Sequence, residues 1–132
     1  MNIQLIVLTA ATICGLAAQD SSRRLKVSVP FGFEANGVKM EAGTYFVTAA
    51  EGQPMVTVFN KATGRSIMLM SGSASDNRER SNSLEFKRYN GVYFLSAMQI
   101  ASTGQKLALP YSRREKEMAI AIQPEVIIAR AE

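Results

Sequence analysis

The sequence contains no histidine and no tryptophan, and its one cysteine is Cys14. Without histidine, neither a Ser-His-Asp nor a Cys-His catalytic triad can form, and the commonest metal ligand is missing. No serine begins an S-x-x-K pair, and the chain has neither a P-loop nor a G-x-G-x-x-G fingerprint. These absences exclude the enzyme and nucleotide-binding classes that such motifs define, and no cofactor is expected.

Charge is also missing from the first nineteen residues, since the first charged side chain is Asp20. An apolar run fills that stretch and ends in Leu-Ala-Ala. We predict that residues 1–18 are a secretory signal peptide whose removal leaves Gln19 as the first residue. The alternative, a membrane anchor, would need about 20 apolar residues. Cys14 leaves with the signal, so the mature chain is expected to have no disulfide and no Cys-based zinc site.

The remaining residues, 19–132, are predicted to form a single β domain. Apolar and polar residues alternate from Leu25 to Phe33, which is typical of a half-buried strand. Further short runs of β-branched and aromatic residues follow, separated by turn residues such as Asn36-Gly37. Short connections predict antiparallel neighbours. The polar stretch 72–83 is predicted to be a long surface loop.

One helix is predicted near the C-terminus. Ser112 and Glu115 have the S-x-x-E spacing of a capping box, in which each side chain binds the backbone N–H of the other residue. A helix from Arg113 to about Ala121 follows, Pro124 prevents it from continuing far, and 125–130 predicts a last strand. The chain is therefore predicted to be all-β, as a small antiparallel barrel or a sandwich of about seven short strands with one short C-terminal helix.

The stretch 83–100 predicts a β-hairpin around the Asn90-Gly91 turn. A two-residue turn there pairs three sets of opposite residues: Tyr89 with Val92, Phe86 with Leu95, and Leu84 with Ala97. Alternation then assigns one face of the hairpin to the core and the other largely to the surface. The predicted surface set is Glu85, Lys87, Tyr89 and Phe94.

Aromatic and basic side chains are the candidate contacts for a ligand or partner. Tyr89 and Tyr93 lie near basic residues and could stack against bases or sugars, although ordinary cross-strand packing also explains them. Arg113 and Arg114 could hold an acidic partner, since cations in a first helical turn do not stabilise the helix itself. The RNA-recognition consensus is not met by RYNGVYFL, so nucleic acid is not expected as a partner.

Six carboxylates could in principle serve the paired-carboxylate chemistry of glycoside hydrolysis: Glu34, Glu41, Glu51, Asp76, Glu79 and Glu85. None lies in a distinctive motif, so solvated surface positions are predicted for them. Met68 and Met70 alternate on one strand, which places both thioethers on one face. Such a pair could bind Cu(I), but core packing is the stronger prediction without histidine or cysteine nearby, and no metal site is predicted.

Three blocks stand in order behind the predicted signal: VPFGFEANGVKMEAGTYFV at 29–47, LEFKRYNGVYFLS at 84–96 and LPYSRREKEMA at 109–119. Together they resemble a family of small exported β-rich proteins of unknown function that is common in Acidobacteria. The resemblance covers most of the mature chain and departs from the family pattern at Met40-Glu41, where Leu-Pro is usual, and at Asn90-Gly91. It implies export and a small β domain, and it brings no activity and no catalytic residue.

The leading functional hypothesis is a non-enzymatic binding or structural role in the cell envelope, in the periplasm or outside the cell. Envelope polysaccharide, lipid or another envelope protein are the candidate partners. One alternative is a barrel that binds a lipid-like molecule in an interior lined by Phe31, Phe33, Met68 and Met70. The other is a carboxylate-dependent hydrolase that acts on envelope carbohydrate.

Overall fold

The structure is a computed structural model and describes residues 24–50 and 52–132. The predicted signal peptide, 1–18, lies outside the described residues. The strands within the described part of the chain are β1 (Arg24–Val29), β2 (Phe33–Ala35), β3 (Val38–Met40), β4 (Gly43–Ala49), β5 (Met55–Asn60), β6 (Ser66–Met70), β7 (Ala74–Asp76), β8 (Ser83–Tyr89), β9 (Val92–Ile100), β10 (Gln105–Ala108) and β11 (Glu125–Arg130). One helix, α1, spans Arg113–Ala121.

The strands form two sheets. The first has the order β1-β4-β5-β6, and the second has the order β11-β8-β9-β10-β7. The β2–β3 hairpin joins the second sheet through a parallel bridge between Glu34 and Phe94. Val27 of β1 forms an isolated antiparallel bridge with Ala131, just after β11, so the two sheets meet at this side. The all-β prediction is confirmed; the described strands do not close into a barrel, and their arrangement agrees with the sandwich alternative.

The core lies between the two sheets, as the alternation in the sequence predicted. Leu25, Val27 and Val29 of β1 are buried, and the residues between them are exposed. Phe33 lies at the centre, with its ring centroid 5.2 Å from that of Tyr45 in the first sheet and 5.1 Å from that of Phe86 in the second. These edge-to-face aromatic contacts connect the two layers.

The β8–β9 hairpin has the predicted turn but a different register beyond it. Asn90 and Gly91 have φ values of 48° and 83°, as a type I′ turn requires. The first predicted pairs are confirmed: Tyr89 lies opposite Val92, and Phe86 lies opposite Leu95. The third is wrong: a β-bulge between Glu85 and Phe86 shifts the register, so Leu84 lies opposite Met98 rather than Ala97.

The second face of this hairpin is buried, contrary to the prediction that it lies largely on the surface. Glu85, Tyr89 and Phe94 are all buried. The Tyr89 hydroxyl donates to Glu115 Oε2 at 3.0 Å, so the start of α1 covers this end of the face. Alternation assigned Leu84, Phe86 and Leu95 to the core correctly, but the bulge moves Ala97, also predicted for the core face, to the second face opposite Glu85. Alternation also could not show that a distant helix would cover the second face.

The helix spans the predicted residues, and half of the predicted capping box forms. Ser112 is the N-cap, and its hydroxyl accepts from the Glu115 N–H at 3.1 Å. The reciprocal bond is not made, because the Glu115 side chain turns inward to Tyr89 instead. Burial raises the pKa of Glu115, and the Tyr89 hydrogen bond and the nearby Lys87 oppose that shift.

We expect Glu115 to make stability depend on pH. Its pKa is higher in the folded chain than in the unfolded chain, so folding favours the protonated form. Its contribution to stability is therefore complete below the unfolded pKa and is lost as the pH rises through the raised, folded pKa. The Glu115→Gln variant should lose this pH dependence and be more stable than the wild type at neutral pH.

Urea unfolding between about pH 4 and pH 8 measures this effect. Glu117→Gln is the matched control, because Glu117 is exposed on the same helix and should leave the curve unchanged. Equal pH dependence in the wild type and Glu115→Gln would contradict the assignment.

Candidate functional site

A polar cleft of about 500 Å³ lies on the face of the second sheet that points away from the core. Its floor follows one row across the strands, because Ser75 of β7 lies opposite Lys106 of β10, which lies opposite Gln99 of β9. Glu85 of β8 lies next to this row and also lines the cleft. The cleft is therefore built by strand register, and its floor residues are far apart in sequence.

Glu85 is a fixed acceptor in the floor of the cleft. Its carboxylate lies 2.8 Å from the ammonium nitrogen of Lys106, and the Ser96 hydroxyl donates to its other oxygen at 3.4 Å. Ser96 is the extra residue of the β-bulge, so the irregular register supplies one of these contacts. These two contacts satisfy both oxygens of the buried carboxylate.

Gln99 is the polar side chain of the cleft whose bonding is incomplete. It is 1% exposed, and its side-chain nitrogen Nε2 has no hydrogen-bond partner within the described residues. A buried donor without a partner costs about 1–3 kcal/mol, and native proteins contain few of them. Gln99 is among the residues that line the cleft. Because its Nε2 is shielded from solvent, the side chain would have to turn toward the cleft before an acceptor atom of a bound molecule could satisfy it.

The rim of the cleft comes from the stretch predicted to be a surface loop. This stretch also contains β7, which pairs with β10, so part of the loop prediction is wrong. Asn77 is buried and organises the residues that follow, since its amide donates to the Ser81 carbonyl at 2.9 Å and its oxygen accepts from the Arg80 N–H at 3.0 Å. This ordered turn places Asp76, Arg78 and Glu79 at the cleft. Glu79 also pairs with Arg130 at 3.1 Å.

The predicted aromatic contacts lie elsewhere. Tyr89 is buried and donates to Glu115, so its ring and hydroxyl are not on a free surface. Tyr93 is half-buried, and its ring stacks on Phe31 with 3.8 Å between the centroids. Tyr93 does line a second, shallower groove of about 240 Å³ together with Glu34. Neither tyrosine lines the polar cleft.

The two predicted arginines are placed on the exposed side of α1. Arg114 pairs with Glu34 of β2, which ties the helix to the β2–β3 hairpin. Arg113 is exposed and forms no ion pair within the described part of the chain. Arg114 thus pairs with a residue that lines the same groove as Tyr93, whereas Tyr89 is buried beneath the start of α1.

The carboxylate candidates are divided among several places. Asp76, Glu79 and Glu85 meet at the cleft, whereas Glu34 pairs with Arg114 and Glu41 is exposed. Glu51 lies outside the described residues. Surface positions were predicted for all six, which is wrong for Glu34 and Glu85, since both are buried.

The methionine prediction is also wrong. Met68 and Met70 lie on one face of β6, as expected, but they are 63% and 59% exposed rather than in the core. Within residues 24–50 and 52–132, no group of three or more His, Cys, Asp or Glu residues is arranged to hold a metal ion.

Sequence reasoning missed Gln99 and Lys106. Gln99 stands among apolar residues in SAMQI, and a lone amide in such a strand was the available signal. The position of Gln99 in a cleft depends on its neighbours in β8 and β10, and the order of residues in the sequence does not reveal these neighbours.

Comparisons with family models, curated proteins and solved structures found no match for this chain. The resemblance to the exported family therefore stays a prediction. Among the described helical residues, there is no segment long and apolar enough to cross a membrane.

Replacing Gln99 by methionine should stabilise the chain when no ligand is bound. The substitution keeps the length of the side chain and removes the unpaired donor, so the free energy of unfolding should rise by about 1 kcal/mol. Chemical denaturation measures the change. Gln105→Met is the control. Gln105 is half-buried in the neighbouring strand, and its side-chain nitrogen is not among the buried atoms without a hydrogen-bond partner. A loss of stability in Gln99→Met alone would contradict this reading of the amide.

Proposed function

We propose that this chain is an exported, non-enzymatic binding domain of the cell envelope that holds a small, hydroxyl-rich molecule in the polar cleft. The observation that carries the proposal is the buried amide nitrogen of Gln99 at the floor of that cleft, which has no hydrogen-bond partner among residues 24–50 and 52–132. A small rotation of the Gln99 side chain would present this donor to the cleft beside a fixed acceptor, Glu85, and a polar ligand would complete that arrangement.

The chemistry of the cleft favours a neutral ligand with many hydroxyl groups. The lining contains three carboxylates and two cations, so neither charge strongly dominates. The remaining lining residues are Ser75 and Gln99, and none of the lining side chains is aliphatic or aromatic. A hydroxyl group can donate to a carboxylate and accept from an amide at the same time. A segment of envelope polysaccharide has these properties.

A binding role fits the carboxylates better than hydrolysis does. Glycoside hydrolysis needs one protonated carboxyl group and one free carboxylate. Glu85 is held by Lys106 and Ser96, and Glu79 is held by Arg130, so Asp76 is the one carboxylate of the cleft without an ion pair among the described residues. The gathering of three carboxylates in one cleft nevertheless makes hydrolysis the second candidate, and the binding experiment below separates the two.

Three of the residues that were predicted to line a lipid-binding interior do not line one. Met68 and Met70 face outward, and Phe33 is packed between Tyr45 and Phe86 in the core. We infer a sandwich filled by side chains rather than a barrel around a ligand cavity.

We expect export to remove the predicted signal peptide. Mass spectrometry of the chain purified from the envelope or medium of a bacterial host should give an N-terminus at Gln19. Ala18→Arg is the control, since a large charged residue before the cleavage site should block processing. Intact Met1 on the soluble wild-type chain would count against export.

Ligand binding can be followed by titrating the purified chain with a soluble chito-oligosaccharide and a soluble cello-oligosaccharide. Amide chemical shifts should change at Glu85, Gln99 and Lys106 with at least one of them. Gln99→Met should weaken binding about tenfold, which corresponds to one hydrogen bond, whereas Gln105→Met should bind as the wild type does.

The same samples distinguish binding from catalysis. New reducing ends that appear with the wild type and disappear with Glu85→Gln would establish the hydrolase instead. If neither sugar shifts the cleft resonances, the proposed ligand class is wrong.

A further inference from the structure

Strand β6 is an open edge of the first sheet. It pairs with β5 on one side and with no other strand among the described residues. Two hydrogen bonds frame the β5–β6 pair: the Arg65 carbonyl accepts from the Asn60 N–H at 2.8 Å, and the Pro54 carbonyl accepts from the Ser71 N–H at 2.9 Å. The backbone groups of alternate residues point to opposite sides of a strand.

This alternation turns the N–H and C=O groups of Ser66, Met68 and Met70 away from β5. Nothing in the described part of the chain accepts from or donates to them. Such a row of free groups is a template for another strand.

Strand β6 lacks the features that protect the edge strands β7 and β3. Strand β7 has only three residues, and β3 also has only three, of which Lys39 accepts at its carbonyl from the Arg65 guanidinium at 3.1 Å. The edge strands β1 and β11 lie beside each other at the Val27–Ala131 bridge. Strand β6 has five residues, SIMLM, with neither charge nor proline. Natural edges are usually protected by shortness, charge or proline.

The side chains beside this edge are apolar and exposed. Met68 and Met70 are 63% and 59% exposed, and Phe59 of the neighbouring strand is 36% exposed. All three lie on the same outer face, because Phe59 lies opposite Ser66, two residues before Met68. An edge that is both unpaired and apolar has the features of an interaction surface.

We propose that β6 pairs with β6 of a second copy of this chain, antiparallel and about a two-fold axis at Met68. The two first sheets then form one continuous sheet. Met68 lies opposite Met68 of the second copy, and Ser66 lies opposite Met70 of the second copy, so the free backbone groups face one another.

The side chains agree with this register. Phe59 and Met70 of the second copy flank the small Ser66, which leaves room for the thioether to contact the ring. A slip by one residue would place each free backbone group opposite a residue whose own N–H and C=O point toward β5, and the hydrogen bonds between the copies would be lost.

Charge also favours a second copy as the occupant. Strand β6 has no charged side chain, and the nearest cation, Arg65, comes opposite Ser71 of the second copy and not opposite another Arg65. Self-pairing thus brings no like charges together at the edge, so a self-complementary contact forms without repulsion. The polar cleft lies in the other sheet, so this proposal and the binding proposal can fail separately.

Sedimentation equilibrium of the purified chain over a range of concentrations tests the proposal. The wild type should form a dimer. Met68→Pro removes an N–H that makes no bond within the chain, so it should keep the fold and raise the dimer dissociation constant at least about tenfold. Met68→Lys, which adds a charge at the axis, should act in the same direction.

Thr48→Lys is the matched control. Thr48 lies on the same face but in β4, two strands from the edge, and the variant should remain dimeric. A wild type that stays monomeric, a dimer that survives both Met68 variants, or a dimer lost in Thr48→Lys would overturn the proposal. Assembly that continues beyond two copies would overturn it too. Circular dichroism establishes which variants are folded. If Met68→Pro is not folded, the dissociation constant of Met68→Lys provides the test.

Discussion

The β8–β9 hairpin has both faces buried, and most of the molecule is arranged around this constraint. One face carries Leu84, Phe86 and Leu95 into the core, where they meet the first sheet. The other face must be covered as well, and it contains polar side chains. Strands β10 and β11 pair with the two edges of the hairpin, and α1 lies over one end of its second face. Strands β10 and β11 thus satisfy the backbone groups at the edges of the hairpin, and α1 supplies a partner for the buried Tyr89.

The polar side chains on the second face of the hairpin differ in whether they have hydrogen-bond partners. Tyr89 and Glu115 satisfy each other, and their contact holds the helix against the sheet. Glu85 pairs with Lys106 and accepts from Ser96, but the amide nitrogen of Gln99 has no partner in the part of the chain that the structure describes. Buried polar groups stabilise a fold when they are paired and cost stability when they are not. The same layer therefore holds the helix at one end and forms the candidate binding cleft at the other.

A structure made of two open sheets also has edge strands, whose outer backbone N–H and C=O groups lack a neighbouring strand. The bridge between Val27 and Ala131 joins the sheets on one side, but nothing described closes the side where β6 lies. A closed barrel would have no such edge. The open arrangement gives the molecule two distinct surfaces, a polar cleft on the second sheet and an apolar edge on the first.

The sequence by itself determined the local features of this protein. Alternation placed Leu25, Val27 and Val29 in the core, Asn90-Gly91 specified the hairpin turn, and Ser112 marked the start of the helix. Each of these signals depends on neighbours within a few residues, so one sequence is sufficient to read it.

Only the tertiary structure decided the bulge at Ser96, the burial of the second hairpin face, the outward position of Met68 and the grouping of Glu85, Gln99 and Lys106. The bulge changes which residues face each other without leaving a mark on hydrophobic periodicity. Whether a face is covered depends on elements that are distant in the chain, as α1 is from β8. The candidate site belongs to this second group, because it exists only where strand pairing brings remote residues into one row.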